Sequence, residues 1–284
     1  MAGALEDRIK AAAGIRPTRI APLSGGSVSQ VYKVEFKGSQ PLVAKYGPAG
    51  GGLAIEGAML RYLAANTGLP MPVVISADDG LLLIEYIDAP GPLTAAAEVH
   101  AAELLAEMHA APVDGFGFAT DTLIGGIHQP NPAGDDWIAF FRDQRLLYMA
   151  GEALRWGNLP AALMARIEVL AGRLADWIPR TSRPALIHGD MWGGNILCRD
   201  GRVAAFIDPA IYHAEPEIEL AFATLFATFG TPFFGRYRDI RPIAPGFFEE
   251  RRALYNLYPL LVHVRLFGGH YVASVEATLS QLGC

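Results

Sequence analysis

The stretch that decides the fold is His188-Gly-Asp-Met-Trp-Gly-Gly-Asn195, which a second carboxylate, Asp208, follows further along the chain. Asn195 comes five residues after Asp190, and Asp208 comes thirteen residues after Asn195. Short apolar pieces flank the turn Arg199-Asp-Gly-Arg202. We therefore expect a β-hairpin that brings Asp208 back beside Asn195.

This spacing gives the chain an oxygen-rich site suited to phosphoryl transfer. Asp190 offers a carboxylate that can accept a hydroxyl proton, while Asn195 and Asp208 offer oxygen ligands for Mg²⁺. Taken singly, Asp190 is also typical of a turn or cap, Asn195 of a loop hydrogen bond, and Asp208 before Pro209 of a turn. Together they match the kinase-like pattern His-x-Asp-x₄-Asn with a metal-binding Asp downstream.

Lys45 is the second unusual residue. It lies inside the apolar run Pro41–Tyr46, where a lysine must reach solvent or find an anion. Glu56 on the next predicted helix is the nearest candidate partner. In a kinase-like lobe such a pair orients the lysine onto the α- and β-phosphates of ATP. The alternative is a surface lysine on an edge strand and an exposed helix glutamate.

Two further segments could contact a nucleotide. The segment Ser24–Ser29 is a predicted glycine turn. Backbone N–H groups of Gly25, Gly26 and Ser27 could cover phosphates, although hairpins also use glycine for turn sterics alone. Glu85-Tyr86-Ile87 ends the last predicted strand of the N-terminal part, where backbone groups could bond an adenine edge. The alternative is an ordinary core strand, and only the placement of these residues before the linker favours the hinge.

The predicted elements divide the chain into two parts. Strands and short helices precede Asp88-Ala-Pro-Gly-Pro92, a run of chain breakers that we interpret as a linker. Helical patterns follow it, most clearly at 137–147, 159–177, 216–229 and from 246 onward. We predict an α+β, bilobal protein-kinase-like fold. Residues 1–87 would form a small β-rich ATP-binding lobe, and residues 88–284 a larger helical lobe for catalysis and substrate binding.

Composition excludes several classes of protein. Hydrophobic residues make up 51% of the 284 residues and charged residues 18%, unlike an intrinsically disordered chain. The net charge of −6 argues against a nucleic-acid partner bound through its phosphates. Two cysteines are too few for a disulfide framework. The most apolar stretch, Leu220–Phe234, is shorter than the roughly 20 residues of a spanning helix. We expect a cytoplasmic protein with no membrane partner.

The central motif resembles that of the fructosamine kinases, or ketosamine-3-kinases, in the aminoglycoside-phosphotransferase-like branch of the kinase fold. Trp192 and the continuation Asp208-Pro-Ala-Ile-Tyr212 are the features most particular to ketosamine kinases. The resemblance covers nearly the whole chain. Further matches are Phe116-Gly-Phe118, Ile124-Gly125, Gln129-Pro-Asn131, Trp137-x-x-Phe-Phe141 and Arg145-Leu146.

The resemblance implies a role for each candidate residue. Trp192 would form an aromatic wall against the sugar or its amine substituent, the alternative being a buried structural tryptophan. The remaining implied roles are Asp190 as catalytic base, Asn195 and Asp208 as Mg²⁺ ligands, Lys45 with Glu56 as the phosphate-orienting pair, and residues 85–87 as the adenine-contacting hinge.

Two departures from the family pattern stand out. The chain reads Glu219-Leu-Ala221 where the family usually has Asp-Leu-Ala, so we expect the hydrogen bonds to the catalytic loop to shift. Some members carry a cysteine in the glycine turn that gives redox-controlled dimers. This turn holds Ser24, Ser27 and Ser29 instead, so we expect that regulation to be absent.

By resemblance, the chain is expected to use ATP and Mg²⁺ to phosphorylate the 3-hydroxyl of a ketosamine, leading to deglycation. The substrate would be a small-molecule ketosamine or a glycated protein side chain bearing a fructosyl or ribulosyl group. The alternatives are another phosphotransferase of the same branch, acting on choline, an aminoglycoside or a sugar, and a pseudokinase scaffold. The sequence leaves open the sugar, the choice between monomer and homodimer, and whether Leu254–Phe267 is core or dimer surface.

Overall fold

The N-terminal part is built on one antiparallel sheet. The computed structural model describes residues 2–23, 29–48 and 50–284. The sheet has five strands in the spatial order β1-β2-β3-β5-β4. Its elements are α1 (Ala2–Ala13), β1 (Arg19–Pro22), β2 (Gln30–Phe36), β3 (Ser39–Tyr46), α2 (Leu53–Asn66), β4 (Val74–Asp78) and β5 (Leu81–Glu85).

Strand β5 is buried on both faces, which accounts for its unbroken apolar sequence. Leu81 and Leu83 belong to a cluster that includes residues of α1. Leu82 and Ile84 point the other way, as successive strand residues do, and pack with residues of α2. Lys45 on β3 pairs directly with Leu82. Its side chain therefore lies on the face of the sheet that α2 covers.

The rest of the chain is mainly helical, with three two-stranded sheets. The helices are α3 (Ala95–Ala110), α4 (Trp137–Phe140), α5 (Tyr148–Arg155), α6 (Ala161–Ala171), α7 (Glu217–Phe222), α8 (Thr231–Ile240), α9 (Arg252–Phe267) and α10 (His270–Gln281). The paired strands are β6 (Thr122–Ile124) with β7 (Ile127–Gln129), β8 (Ala185–Ile187) with β11 (Tyr212–Ala214), and β9 (Ile196–Arg199) with β10 (Arg202–Phe206). Within the described ranges, no helix is long and apolar enough to cross a membrane.

Helix α9 forms the centre of the C-terminal core. Nearly every residue from Leu254 to Val264 is buried, and only the end of the apolar stretch, at Phe267, is largely exposed. The stretch Leu254–Phe267 is therefore core rather than a free surface.

The structure confirms the predicted hairpin and corrects one helix. Strands β9 and β10 pair on either side of the turn at residues 199–202. The helix predicted over 216–229 is wrong in its second half: α7 ends at Phe222, and Phe226 and Ala227 have φ angles of 57° and 52°. The predicted lobe boundary at 87/88 falls between β5 and α3, and it stays a prediction.

Candidate active site

The loop His188–Asn195 connects β8 to β9 and is pressed against the segment after Asp208. Gly189 has a φ of 85°, and a Cβ there would lie 2.1 Å from the carbonyl oxygen of Ala210. The amide of Ala210 in turn donates to the carbonyl of His188 at 2.7 Å. Only glycine fits at this position, because any side chain would meet backbone atoms that cannot move aside.

Asp190 is held within this loop by Asn195. The Nδ2 group of Asn195 donates to Oδ2 of Asp190 at 2.8 Å and to its backbone oxygen at 2.9 Å. Oδ1 of Asp190 is bonded to no residue in the described ranges. Burial raises the pKa of the Asp190 carboxyl to about 7; the bond from Asn195 lowers it and the charge of Asp208 raises it further. With one oxygen fixed and one available, the carboxylate can accept a hydroxyl proton.

Asp208 returns to Asn195 through the β9–β10 hairpin. The amide of Ile207 donates to the carbonyl of Asn195 at 3.0 Å. Asp208 has a φ of 54°, in the left-handed region that aspartate tolerates better than most residues. Its Oδ1 forms an ion pair with Nζ of Lys45. The hairpin thus joins the loop His188–Asn195 to strand β3.

Lys45 lies buried between two carboxylates. Its Nζ is 2.6 Å from Oε1 of Glu56 and also pairs with Asp208. Burial opposes the charge of this lysine, but the two carboxylates outweigh burial and hold its pKa above the usual value. Burial also raises the pKa of Glu56, with the charge of Asp208 adding to it and Lys45 opposing. The arrangement presents a fixed ammonium group that can bind phosphate oxygens.

Asn195 and Asp208 fit a divalent cation. Both side-chain hydrogen bonds of Asn195 come from its Nδ2, so its Oδ1 receives no donor from the described part of the chain. The same holds for Oδ2 of Asp208, whose ion pair uses Oδ1. Two such oxygens, completed by water and substrate phosphates, are a common ligand set for Mg²⁺.

Among the described residues, one backbone donor of the predicted hinge has no partner. The amides of Glu85 and Tyr86 donate to carbonyls of neighbouring segments at 2.8 and 3.3 Å. The amide of Ile87 has no partner among residues 2–23, 29–48 and 50–284. The ring of Tyr86 is covered by Lys33, whose Nζ is 4.0 Å from its centroid. Ile87 is therefore the residue of this segment best able to donate to an adenine ring.

The predicted phosphate-covering residues Gly25, Gly26 and Ser27 lie outside the described residues.

Trp192 faces solvent close to Asp190. The residue is 40% exposed, so it is not a buried tryptophan, and its contact with the substrate stays a prediction. The ring lies over Gly194, where a Cβ would come within 2.4 Å of the indole. Gly194 thus leaves room for the indole, which forms a flat apolar surface two residues beyond Asp190.

A buried polar chain supports the loop from behind. Oε1 of Glu219 accepts a hydrogen bond from the amide of Gly189 at 2.7 Å. Its Oε2 lies 2.8 Å from Nε2 of His109, and Nδ1 of His109 lies 2.8 Å from the hydroxyl of Tyr237. All three side chains are buried. Glutamate at 219 therefore keeps a bond to the loop and reaches α3 as well.

Sequence reasoning missed His109 and Tyr237. The two partners of His109 lie 110 and 128 residues away along the chain. The only local signal was a histidine on a helix with a buried alanine and leucine face, which is equally typical of a histidine satisfied within an ordinary core.

The chain matches known proteins along almost its whole length. A family model described as fructosamine kinase matches residues 3–283. A probable ketoamine kinase of Synechocystis is 34% identical over 269 residues, which is 91% of this chain and 88% of that protein. A chloroplastic protein-ribulosamine 3-kinase of Arabidopsis thaliana is 34% identical over 204 residues, 70% of this chain and 61% of that protein.

Solved structures agree with these matches. The crystal structure of a Thermobifida fusca protein assigned as a fructosamine-3-kinase has a TM-score of 0.87 and 30% identity, covering 99% of both chains. A thermostable mutant of aminoglycoside phosphotransferase APH(4)-Ia has a TM-score of 0.66 and 18% identity, covering 97% of this chain and 98% of that one. The second likeness concerns the fold alone, and it confirms the predicted protein-kinase-like architecture.

Proposed function

The chain belongs to the fructosamine kinase family, and from this premise we propose that it transfers the γ-phosphoryl group of ATP to the 3-hydroxyl of a ketosamine. Family membership makes it an ATP-dependent phosphotransferase that acts on a hydroxyl group of a ketosamine. The position of the hydroxyl, the use of Mg²⁺ and the role of each residue are parts of the proposal.

The observation that carries the proposal is the convergence of Lys45 and Asp208, which lie 163 residues apart in the chain. One end of this pair is held by Glu56 and the other lies next to the Asp190–Asn195 unit. The fold thus brings together three kinds of group. They are an ammonium that can bind phosphates, side-chain oxygens that can bind a metal ion, and a carboxylate that can accept a proton. These are the parts that phosphoryl transfer requires of a protein.

The N-terminal side would bind the nucleotide. Phosphate oxygens of ATP would take the place of Asp208 beside the Lys45 ammonium, while Glu56 keeps that ammonium in position. Asp208, released from Lys45, and Asn195 would then hold Mg²⁺. The bound ion would neutralise charge on the phosphate oxygens. The amide of Ile87 would donate to the adenine ring.

Asp190 would act as the base. As the oxygen of the substrate hydroxyl forms its bond to the γ-phosphorus, the bond from that phosphorus to the oxygen shared with ADP breaks. The hydroxyl proton passes to the free Oδ1 of Asp190, whose other oxygen stays bonded to Asn195. The products are ADP and the phosphorylated ketosamine. Trp192 would stack against the sugar or its amine substituent.

The product explains why such a reaction would reverse glycation. A phosphate on carbon 3 is a better leaving group than the hydroxyl it replaces. Loss of a proton from carbon 1, next to the ketone, gives an enaminol that expels phosphate. Addition of water then releases the free amine and a deoxygenated dicarbonyl sugar. We propose that this repair chemistry is the purpose of the phosphorylation.

The alternative of a choline, aminoglycoside or other sugar kinase is not favoured. The aminoglycoside enzyme matches at 18% identity, whereas the fructosamine kinase model covers residues 3–283. A pseudokinase scaffold is opposed by the presence of Lys45, Asp190, Asn195 and Asp208 in bonded positions.

The test is ADP release from Mg·ATP over ribulosyl-lysine, fructosyl-lysine, choline and kanamycin. We expect turnover with at least one ketosamine, and phosphorus–proton correlation in the product's NMR spectrum should locate the phosphate on carbon 3. Turnover confined to choline or kanamycin would refute the ketosamine assignment. Absence of Mg·ATP binding would favour the pseudokinase.

A further inference from the structure

The segment after α7 carries a solvent-exposed phenylalanine next to Trp192. The side chain of Phe226 is 46% exposed. Its ring meets the indole of Trp192 edge to face, with centroids 6.1 Å apart and planes at 73°. The other side of Phe226 faces His263, with ring centroids 5.1 Å apart. The rings of Trp192 and Phe226 thus form an exposed aromatic corner, and Trp192 lies two residues beyond Asp190 in the chain.

The backbone of this segment is held in an unfavourable conformation. Phe226 and Ala227 both have φ angles in the left-handed region, 57° and 52°, although neither is glycine. Such conformations cost free energy and persist only where the surroundings enforce them, often at functional sites. Without this reversal, the helical pattern of 216–229 would continue, and Phe226 would follow the course of α7.

Both ends of the segment are fixed. Before Phe226, Oγ1 of Thr224 accepts a hydrogen bond from Nδ2 of Asn256 at 3.2 Å. After it, Oγ1 of the buried Thr228 accepts one from the amide of Gly193 at 3.0 Å. The second bond ties the segment directly to the catalytic loop. The position of Phe226 relative to Asp190 is therefore built into the fold.

The corner carries no charge. Nδ1 of His263 donates to the carbonyl of Pro259 at 2.7 Å, and burial lowers the pKa of this histidine, with His270 adding to the effect. The lowered pKa favours the uncharged form of this ring, and the rings of Trp192 and Phe226 carry no ionisable group. The corner offers apolar contact area and has no carboxylate of its own, so it suits an apolar or aromatic group.

We propose that Trp192 and Phe226 bind the substituent on the substrate's amine nitrogen, and that Phe226 determines a preference for ketosamines with an extended apolar or aromatic substituent. This inference rests on the proposed function. In a ketosamine the nitrogen is attached to carbon 1, two carbons from the one bearing the 3-hydroxyl. A substrate whose 3-hydroxyl meets Asp190 must therefore extend its substituent from the immediate surroundings of that residue, and the corner lies there.

The experiment compares two ketosamines of the same sugar, one made from methylamine and one from benzylamine. In the wild-type enzyme we expect a higher kcat/KM for the benzylamine adduct. Phe226→Ala should reduce this preference about tenfold, through KM, while kcat/KM for the methylamine adduct and KM for ATP change little. Phe226→Leu keeps apolar area but removes the ring. Its preference for the benzylamine adduct should lie between those of the wild-type enzyme and Phe226→Ala.

Phe267→Ala is the matched control. Phe267 is also an exposed phenylalanine, 54% exposed, and it also contacts His263, at 5.8 Å, but from the far end of α9. It should leave the preference unchanged. The inference is overturned if Phe226→Ala preserves the preference, or if Phe267→Ala abolishes it equally. The inference also fails if the wild-type enzyme does not prefer the benzylamine adduct, whereas the proposed function fails only if no ribulosyl or fructosyl ketosamine is phosphorylated.

Discussion

The two sides of the proposed active site are held by different kinds of interaction. On the N-terminal side, Lys45 is fixed by direct ion pairs to Glu56 and Asp208. On the C-terminal side, Asp190 is fixed by hydrogen bonds from Asn195 and by the Glu219 bond to the amide of Gly189. An ion pair can exchange one carboxylate for a phosphate, whereas the bonds that hold the loop are all made within the chain. We therefore expect the first side to change partners when ATP binds and the second to stay rigid.

The largest expected effect tests the rigid side. Asp190→Asn preserves the shape and an acceptor for Asn195 but cannot take up the hydroxyl proton. We expect kcat to fall by about 10²- to 10⁴-fold, while Kd for Mg·ATP stays within about threefold of wild type. Steady-state turnover and nucleotide titration measure the two quantities. Turnover similar to wild type would remove Asp190 from the mechanism.

The next effect tests the side that exchanges partners. Lys45→Met removes the ammonium and leaves Glu56 and Asp208 without their cation, so KM for ATP should rise between about 10- and 100-fold. KM for the ketosamine should change much less. Lys37→Met, at an exposed position beyond β2, is the control and should have no effect. If KM for ATP and KM for the ketosamine rose equally, Lys45 would not act on nucleotide binding alone.

A smaller effect tests the support behind the loop. Glu219→Asp is too short to bond both Gly189 and His109, so one buried hydrogen bond should be lost. We expect kcat to fall about tenfold with KM for ATP unchanged, and the free energy of unfolding in urea to fall by about 1–3 kcal/mol. If kcat and the free energy of unfolding both equal those of wild type, the bond to His109 contributes nothing to the rigidity of the loop.

The smallest effect concerns how the stability of the protein depends on pH through Glu215, which lies just before α7. Burial raises the pKa of Glu215 to about 8, with repulsion from Glu217 adding to it and nearby arginines opposing. A carboxyl group with a raised folded-state pKa stabilises the fold below its unfolded pKa, and this stability is lost as pH rises through about 8.

Glu215→Gln removes that titration. Relative to wild type, its free energy of unfolding should increase between pH 5 and pH 8 by on the order of 2 kcal/mol. Urea unfolding at several pH values measures the difference, and Glu249→Gln, at an exposed position, should show none. A difference that does not vary with pH would mean that Glu215 is ionised throughout this range.

The sequence predicted those parts of the molecule that depend on local spacing. The hairpin that returns Asp208 to Asn195 follows from two apolar pieces around a short turn. The contact between Lys45 and Glu56 follows from a strand and the next helix, eleven residues apart. The roles of these residues stay predictions, but their proximity is a property of the fold.

Other parts left no local signal. His109 on α3 meets Glu219 on α7 only because the fold of the C-terminal core brings the two side chains together, and no periodicity indicates the partner. The reversal at Phe226 and Ala227 occurs without the glycine or asparagine that usually marks left-handed backbone, so the pattern predicted a continuous helix there. Tertiary contacts at Thr224 and Thr228 enforce what the local sequence disfavours.

Gly189 determines how this enzyme can vary over generations. Any codon change that replaces Gly189 adds a Cβ, and that atom would overlap the carbonyl of Ala210. At Gly235, within α8, the same atom would meet nothing within 4 Å, so an inherited change to alanine is open there. Phe226 is half exposed, so replacing its side chain leaves no cavity in the buried core. Single substitutions at Phe226 can therefore change the preferred substrate during evolution. At Gly189, in the proposed catalytic loop, no other residue is tolerated.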